Sequence, residues 1–377
     1  MMYDWTVMIF VSSDNFLGEQ GLERELLRKV EEAGIDDRVA VVVQHDPFER
    51  GRPTTRTYHV RNGWCDILGE RNSGDPQTLL DFVHAAKRNC PSDKRALLFW
   101  DHSNGWVDEN ALKEWKKNRA LPRVLRGAGF DQANGDDLSV AELRYLARRI
   151  GPLDVLAFDA CYMGLLEIAY QFRGAARMMV ASEERLPGAP GWPYHAILRA
   201  LQSNPALDGR QFAEAIVQQF GTVYDAQHHP VTLAAIDMEM IAPLLAPLSR
   251  LSFALMDHIK HHGVTPVKNA QAQAKKFMGN AGYIDLVSFC QRARDAAPEI
   301  APLADRVISA VQRSVLARFV TQHHSMAEAH GLGITFPAEP LPLSYGELDF
   351  AMDCSWVSLL QAAVGVAEYE DARSTPR

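Results

Sequence analysis

Two residues able to do covalent chemistry stand just after two apolar runs. Ala96–Trp100 is followed by Asp101-His102-Ser103-Asn104-Gly105-Trp106, and Leu153–Phe158 by Asp159-Ala160-Cys161-Tyr162-Met163-Gly164. In open parallel sheets, ligands bind beyond the carboxyl ends of the strands. If the two runs are neighbouring strands, the His102 imidazole and the Cys161 thiol converge. A thiol nucleophile needs that partner, because an adjacent imidazole favours thiolate over thiol. Cys161 also precedes a helix expected to start near Met163 or Gly164, whose free amides would lower a thiol pKa. The competing reading is a packed cysteine and a loop-capping histidine. Spacing alone leaves both open.

Other reactive side chains form weaker patterns. The five cysteines are Cys65, Cys90, Cys161, Cys290 and Cys354. They are odd in number and show no C-x-x-C pair, so neither a zinc ribbon nor a disulfide framework is expected. The histidine pairs His228-His229, His261-His262 and His323-His324 are adjacent. Adjacent side chains point in different directions and chelate poorly, so no catalytic metal is expected. The longest unpatterned stretch, Val107–Asp137, holds Lys113, Lys116, Lys117, Arg119, Arg123 and Arg126. A loop of that length is usually functional or mobile.

The elements that must position these residues are legible from periodicity. Short apolar runs read as buried strands at Thr6–Val11, Val39–Gln44, Ala96–Trp100, Leu153–Phe158, Met178–Ala181 and Val231–Ile236, with a weaker one at Arg56–Val60. Helical patterns at Leu22–Glu32, Pro76–Lys87, Val140–Arg149, Leu165–Phe172 and Gly209–Phe220 separate most of them. The alternation predicts an α/β fold, a mainly parallel sheet flanked by helices. After Asp237 the periods are helical, through Met238–His262, Pro266–Met278, Ile284–Ala296, Ala301–Thr321 and Trp356–Ala367. This divides the chain into a catalytic part, 1–236, and a mostly helical part, 237–377. A late strand, 331–336, is expected to be able to join the main sheet. The net charge of -8 argues against nucleic acid and anionic membrane as main partners. No run approaches the roughly 20 apolar residues of a membrane span. No leader pattern follows Met1, so the expected location is cytoplasmic. Oligomeric state is not legible.

The wording of the two key segments resembles the histidine and cysteine motifs of the clostripain family. The resemblance continues through Glu167 and Tyr170, Val180-Ala181-Ser182-Glu183-Glu184, Gly191-Trp192-Pro193-Tyr194, Asp14-Asn15-Phe16-Leu17, Tyr283-Ile284-Asp285-Leu286 and Gly331–Pro337. These pieces run in the family's order over nearly the whole chain. The resemblance implies a caspase-like fold and a cysteine endopeptidase with His102 as general base or acid and Cys161 as nucleophile. It implies an oxyanion hole made by the amides of Ser103 and Cys161, although the family usually has Gly where this chain has Ser103. It implies a polypeptide substrate cut after Arg or Lys, with Asp159 reading the basic side chain and Glu183, Glu184 and Trp192 near the cleft. Self-cleavage after Lys116, Lys117, Arg119, Arg123 or Arg126 would follow from that preference. No cofactor is required, while calcium is possible at acidic stretches such as Asp131–Asp137. The rival from another class is a catalytically silent caspase-like scaffold that binds a partner.

Overall fold

The computed structural model describes residues 2–48, 54–107, 128–225, 229–277, 282–338 and 340–364. The strands are β1 (Tyr3–Ser13), β2 (Val39–Pro47), β3 (Thr55–His59), β4 (Cys65–Gly69), β5 (Ser92–Trp100), β6 (Leu153–Asp159), β7 (Ala176–Ala181) and β8 (Thr232–Asp237). The later part of the chain adds β9 (Lys276–Phe277), β10 (Tyr283–Asp285), β11 (Val315–Val320) and β12 (Gly333–Thr335). Nine strands form one sheet in the order β11-β8-β7-β6-β5-β1-β2-β3-β4. The central five, β7 through β2, are parallel, and an antiparallel pair closes each side.

Alternation along the central strands explains the layering. In β1, Val7, Ile9 and Val11 face one core and Met8 and Phe10 the other. Helices Leu22–Glu31, Tyr194–Ser203 and Gly209–Tyr224 cover the first face. Helices Pro76–Asn89, Val140–Ala147 and Ile241–His262 belong to the second. A strand covered on both faces must be apolar on both, which is why these runs read as continuous hydrophobic segments.

Three expectations need correction. The helix predicted over Ala301–Thr321 ends at Ser314, and Val315–Val320 becomes an edge strand on β8. Val315, Phe319 and Val320 favour a pleated surface, and β8 offers a free edge to pair with. The late strand does not join the main sheet as a strand. Gly333–Thr335 instead pairs with β10 in a separate three-stranded sheet, with an isolated β-bridge between Gly333 and Leu165. The helical segment Met238–His262 is long and apolar enough by composition to cross a membrane. Its apolar side is spent on the core, where Leu244, Leu248, Leu251 and Leu255 are buried.

Candidate active site

The β5–β6 register pairs Trp100 with Asp159. His102 and Cys161 therefore lie two residues past paired positions on adjacent parallel strands, at the same end of the sheet. Both strands leave the sheet here through turns. At Tyr162 the backbone takes φ 58°, a left-handed conformation that side chains rarely adopt and that turns the chain directly after the thiol.

Buried contacts hold the His102 loop. Asn15 Nδ2 donates to Asp101 Oδ1 (2.8 Å) and the Phe130 amide to Asp101 Oδ2 (2.9 Å). Asn15 also caps the turn that carries Phe16, whose ring lies 6.2 Å from the His102 ring. Ser103 turns its hydroxyl inward, donating to Met163 Sδ (2.9 Å) and accepting from the Gly105 amide (3.0 Å). The serine that departs from the family pattern thus ties the histidine loop to the cysteine loop. Gly105 sits at φ 71°, where a Cβ would come within 2.7 Å of Leu165 Cδ1. Only glycine lets the two loops approach this closely.

The small sheet braces the same loops from below. Tyr283 Oη donates to the Asn104 carbonyl, Trp106 Nε1 to Thr335 Oγ1 (2.8 Å), and the Gly333 amide to the Gly164 carbonyl (2.8 Å). Residues far along the chain, in the part expected to be helical, thereby position the site.

Burial dominates the electrostatics. It pushes the Cys161 thiol up to about 11 and the His102 imidazole down to about 4. At neutral pH the pair is an uncharged thiol and an uncharged imidazole. The Leu186 amide donates to Cys161 Sγ (3.4 Å), and Sγ donates to the Leu186 carbonyl (3.7 Å). One residue of the chain's own loop thus covers the half-buried sulfur. His102 Nε2 is buried without a partner among the described residues. The thiol should therefore rest protonated and react through its small thiolate fraction. Its alkylation rate with iodoacetamide is expected to rise about tenfold per pH unit between about pH 7 and 9. A rate already flat below pH 8 would mean a preformed thiolate–imidazolium pair and overturn this reading.

The expected substrate residues separate. Asp159 is buried at the strand end, where Tyr194 Oη donates to its Oδ2 (3.0 Å). Burial raises it to about 7, offset by the Tyr194 hydrogen bond and the nearby Lys29 charge. Lys29 itself is held by the carbonyls of Pro190 and Trp192. Glu183 does not face a cleft. It is fully buried, accepts from the Gly331 amide (2.8 Å), and is raised by burial and by the Asp285 carboxylate beside it. Trp192 is buried in the core rather than lining a cleft. The acid that meets open space is Glu184, which lines a cavity of about 450 Å³ with Arg185, Leu186, His229, Lys275 and Met326. The helix after Cys161 starts at Leu166, later than the expected Met163 or Gly164, and has only six residues. Lys116, Lys117, Arg119, Arg123 and Arg126 lie outside the described residues.

Sequence reasoning missed the parts played by Asn15, Phe16, Asp101 and Leu186. Asn15 and Phe16 were flagged only as wording, because a clamp across separate loops has no local pattern. Among the described acids, Asp14, Glu70 and Asp131 bring carboxylate oxygens within 4.8 Å of one another. Burial chiefly, and the Asp131 charge in addition, raise Asp14 to about 6. An all-oxygen donor set of this kind suits calcium rather than zinc.

Comparison with known proteins gives the following. The family model described as the clostripain family matches residues 54–342. Clostripain from Hathewaya histolytica is 32% identical over an alignment of 237 residues that covers 52% of this chain and 42% of that protein. The match thus spans less than half of that relative's length. A secreted C11 cysteine protease from Bacteroides thetaiotaomicron, solved with an irreversible peptide inhibitor, aligns with a TM-score of 0.68 at 18% identity. The alignment covers 95% of this chain and 99% of that one. An inactive zymogen C11 protease from Parabacteroides distasonis aligns with a TM-score of 0.67 at 19% identity, covering 94% of this chain and 98% of that one. The expected caspase-like fold is the one these structures share. The cytoplasmic expectation is overturned, because the Bacteroides neighbour is a secreted enzyme. A leader is a removable segment, so the lack of its pattern says nothing about where the folded part resides.

Proposed function

The chain belongs to the clostripain family, and from that premise we propose that it is a cysteine peptidase that cuts polypeptides after Arg or Lys, with Cys161 as nucleophile and His102 as its base. The observation that carries the reading is the register, which brings the two residues to matched positions beyond paired strand ends. His102 takes the thiol proton as sulfur attacks the scissile carbonyl, so the pair starts and finishes uncharged. The amides of Ser103 and Cys161 receive the oxyanion. His102 returns its proton to the leaving amine, which departs and leaves a thioester. Water, deprotonated by His102, then releases the acyl product. For a substrate carbonyl to reach Sγ it must displace Leu186.

Asp159 is the carboxylate that supports a basic residue at the cut. A guanidinium brought beside a carboxyl raised to about 7 would ionise it, converting unfavourable burial into a charge-assisted pair. The interval between the two strands holds Lys116, Lys117, Arg119, Arg123 and Arg126. Self-cleavage there is part of the proposal, in keeping with a structural neighbour described as a zymogen. Calcium, when bound, would be held by Asp14, Glu70 and Asp131 and would neutralise their crowded charge, against the loop that clamps Asp101. The chemical steps do not pass through it.

One experiment tests the reading. Purified chain is incubated with a peptidyl Arg-amide and, separately, an alkylating Arg-ketone, beside Cys161→Ala, with gel and mass readouts. The expected result is turnover, one covalent adduct on Cys161, and a cut in wild type that the variant lacks. An intact chain with neither turnover nor adduct would support a silent scaffold.

A further inference from the structure

We propose that His258, His262 and Glu299 form a binding site for a divalent transition-metal ion of the zinc type, distinct from the peptidase centre. His258 and His262 stand one turn apart on helix Ile241–His262, so their side chains share a face. Reading the histidines as adjacent pairs misses this, because the useful partner of His262 is four residues back. The two rings lie 4.6 Å apart between centroids at 30°.

The third ligand arrives from another element. Glu299 lies in the turn Pro298–Ile300 that leads into helix Ala301–Ser314. Its Oε1 shares a 2.7 Å hydrogen bond with His258 Nδ1. Ligand atoms of all three residues fall within 4.8 Å of one another. In a tetrahedral zinc site, bonds of about 2 Å put ligand atoms roughly 3.3 Å apart. His262 and Glu299 are exposed, so rotation of their side chains closes that gap.

The His258 side chain is 8% exposed, which fixes the ring in place. Its Nδ1 faces Glu299, so an ion joining all three residues takes Nδ1 as its nitrogen ligand and replaces that hydrogen bond. Two nitrogens and one carboxylate oxygen suit zinc, nickel or copper and fit poorly to calcium or magnesium. Beside the trio, His261 lies 3.4 Å from Asp257. A bound ion would pin the end of the long helix to the turn before its neighbour. Because only the folded chain gathers the three ligands, binding would raise thermal stability.

The test uses the full chain, free of any affinity tag, carrying Cys161→Ala and Cys65→Ser so that neither accessible thiol takes the metal. Zinc chloride is titrated by calorimetry and thermal unfolding. The expected result is one equivalent bound and a raised Tm, with calcium giving no competition. Adding His262→Ala or Glu299→Gln, both exposed, is expected to weaken binding at least about tenfold and abolish the Tm rise. Less than one equivalent bound, or binding unchanged by His262→Ala, overturns the proposal. Since the background variant has no nucleophile, neither outcome depends on the peptidase reading.

Discussion

Cys161→Ala and His102→Ala are each expected to lower kcat/KM on a peptidyl Arg-amide by about 10⁴ or more, and the double variant by no more than either alone. Groups that act as one unit show this non-additivity, because removing either leaves the other with nothing to do. Here the unit is an uncharged thiol and an uncharged imidazole. Without His102, the attacking sulfur must shed a proton from a thiol that burial holds near 11. Without Cys161, the imidazole has no nucleophile to activate. The measurement is steady-state kinetics on chains cut in advance by added wild type, so that any loss reports chemistry rather than failed maturation. Cys161 is half-buried and Ala is smaller, so unfolding temperatures should stay close to wild type. Residual activity within about a hundredfold for Cys161→Ala would move the nucleophile elsewhere. The alternatives are poor: Cys90, Cys290 and Cys354 are buried and raised by burial, and Cys65 is exposed on the edge strand β4.

Asp159→Asn is expected to reduce kcat/KM for Arg substrates by about 10²–10³, roughly 3–4 kcal/mol of transition-state stabilisation. A substrate with a neutral residue at the same place should change little. The amide keeps the shape of the carboxyl and can still accept from Tyr194, so the change removes charge without opening a cavity. The pH dependence carries a definite sign. A carboxyl raised to about 7 is protonated at pH 5 and ionised at pH 9. Preference for Arg over a neutral residue should therefore grow as pH rises through about 7, and the growth should vanish in Asp159→Asn. If the preference survives the substitution, the cation is read elsewhere. Glu184, at the mouth of the cavity beside Leu186, is then the next carboxylate to change.

Local pattern carried much of this protein. The central strands are apolar on both faces because helices cover both, so β1, β2, β5, β6, β7 and β8 were legible as runs. The placement of His102 and Cys161 after two such runs, and the wording around them, pointed to a thiol peptidase. Where the fold relied on distant partners, sequence was silent. Val315–Val320 reads as the tail of a helix until β8 offers an edge. Gly333–Thr335 reads as a strand, but its true partner is β10.

The site divides in the same way. Residue type and spacing singled out His102 and Cys161 without deciding between a dyad and a packed pair, and the family resemblance implied their roles and that of Asp159. Burial separated Glu183, sealed against Gly331 and Asp285, from Glu184, which meets open space, although the two are adjacent in sequence. It also placed Trp192 in the core. Only the folded chain brings Leu186 over the sulfur, Asn15 onto Asp101, and Glu299 to a histidine pair one helical turn long. The physical reason is common to all of these. Strand and helix periods are written in neighbouring residues, whereas desolvation, charge compensation and loop contact depend on groups far apart in the chain and near in space.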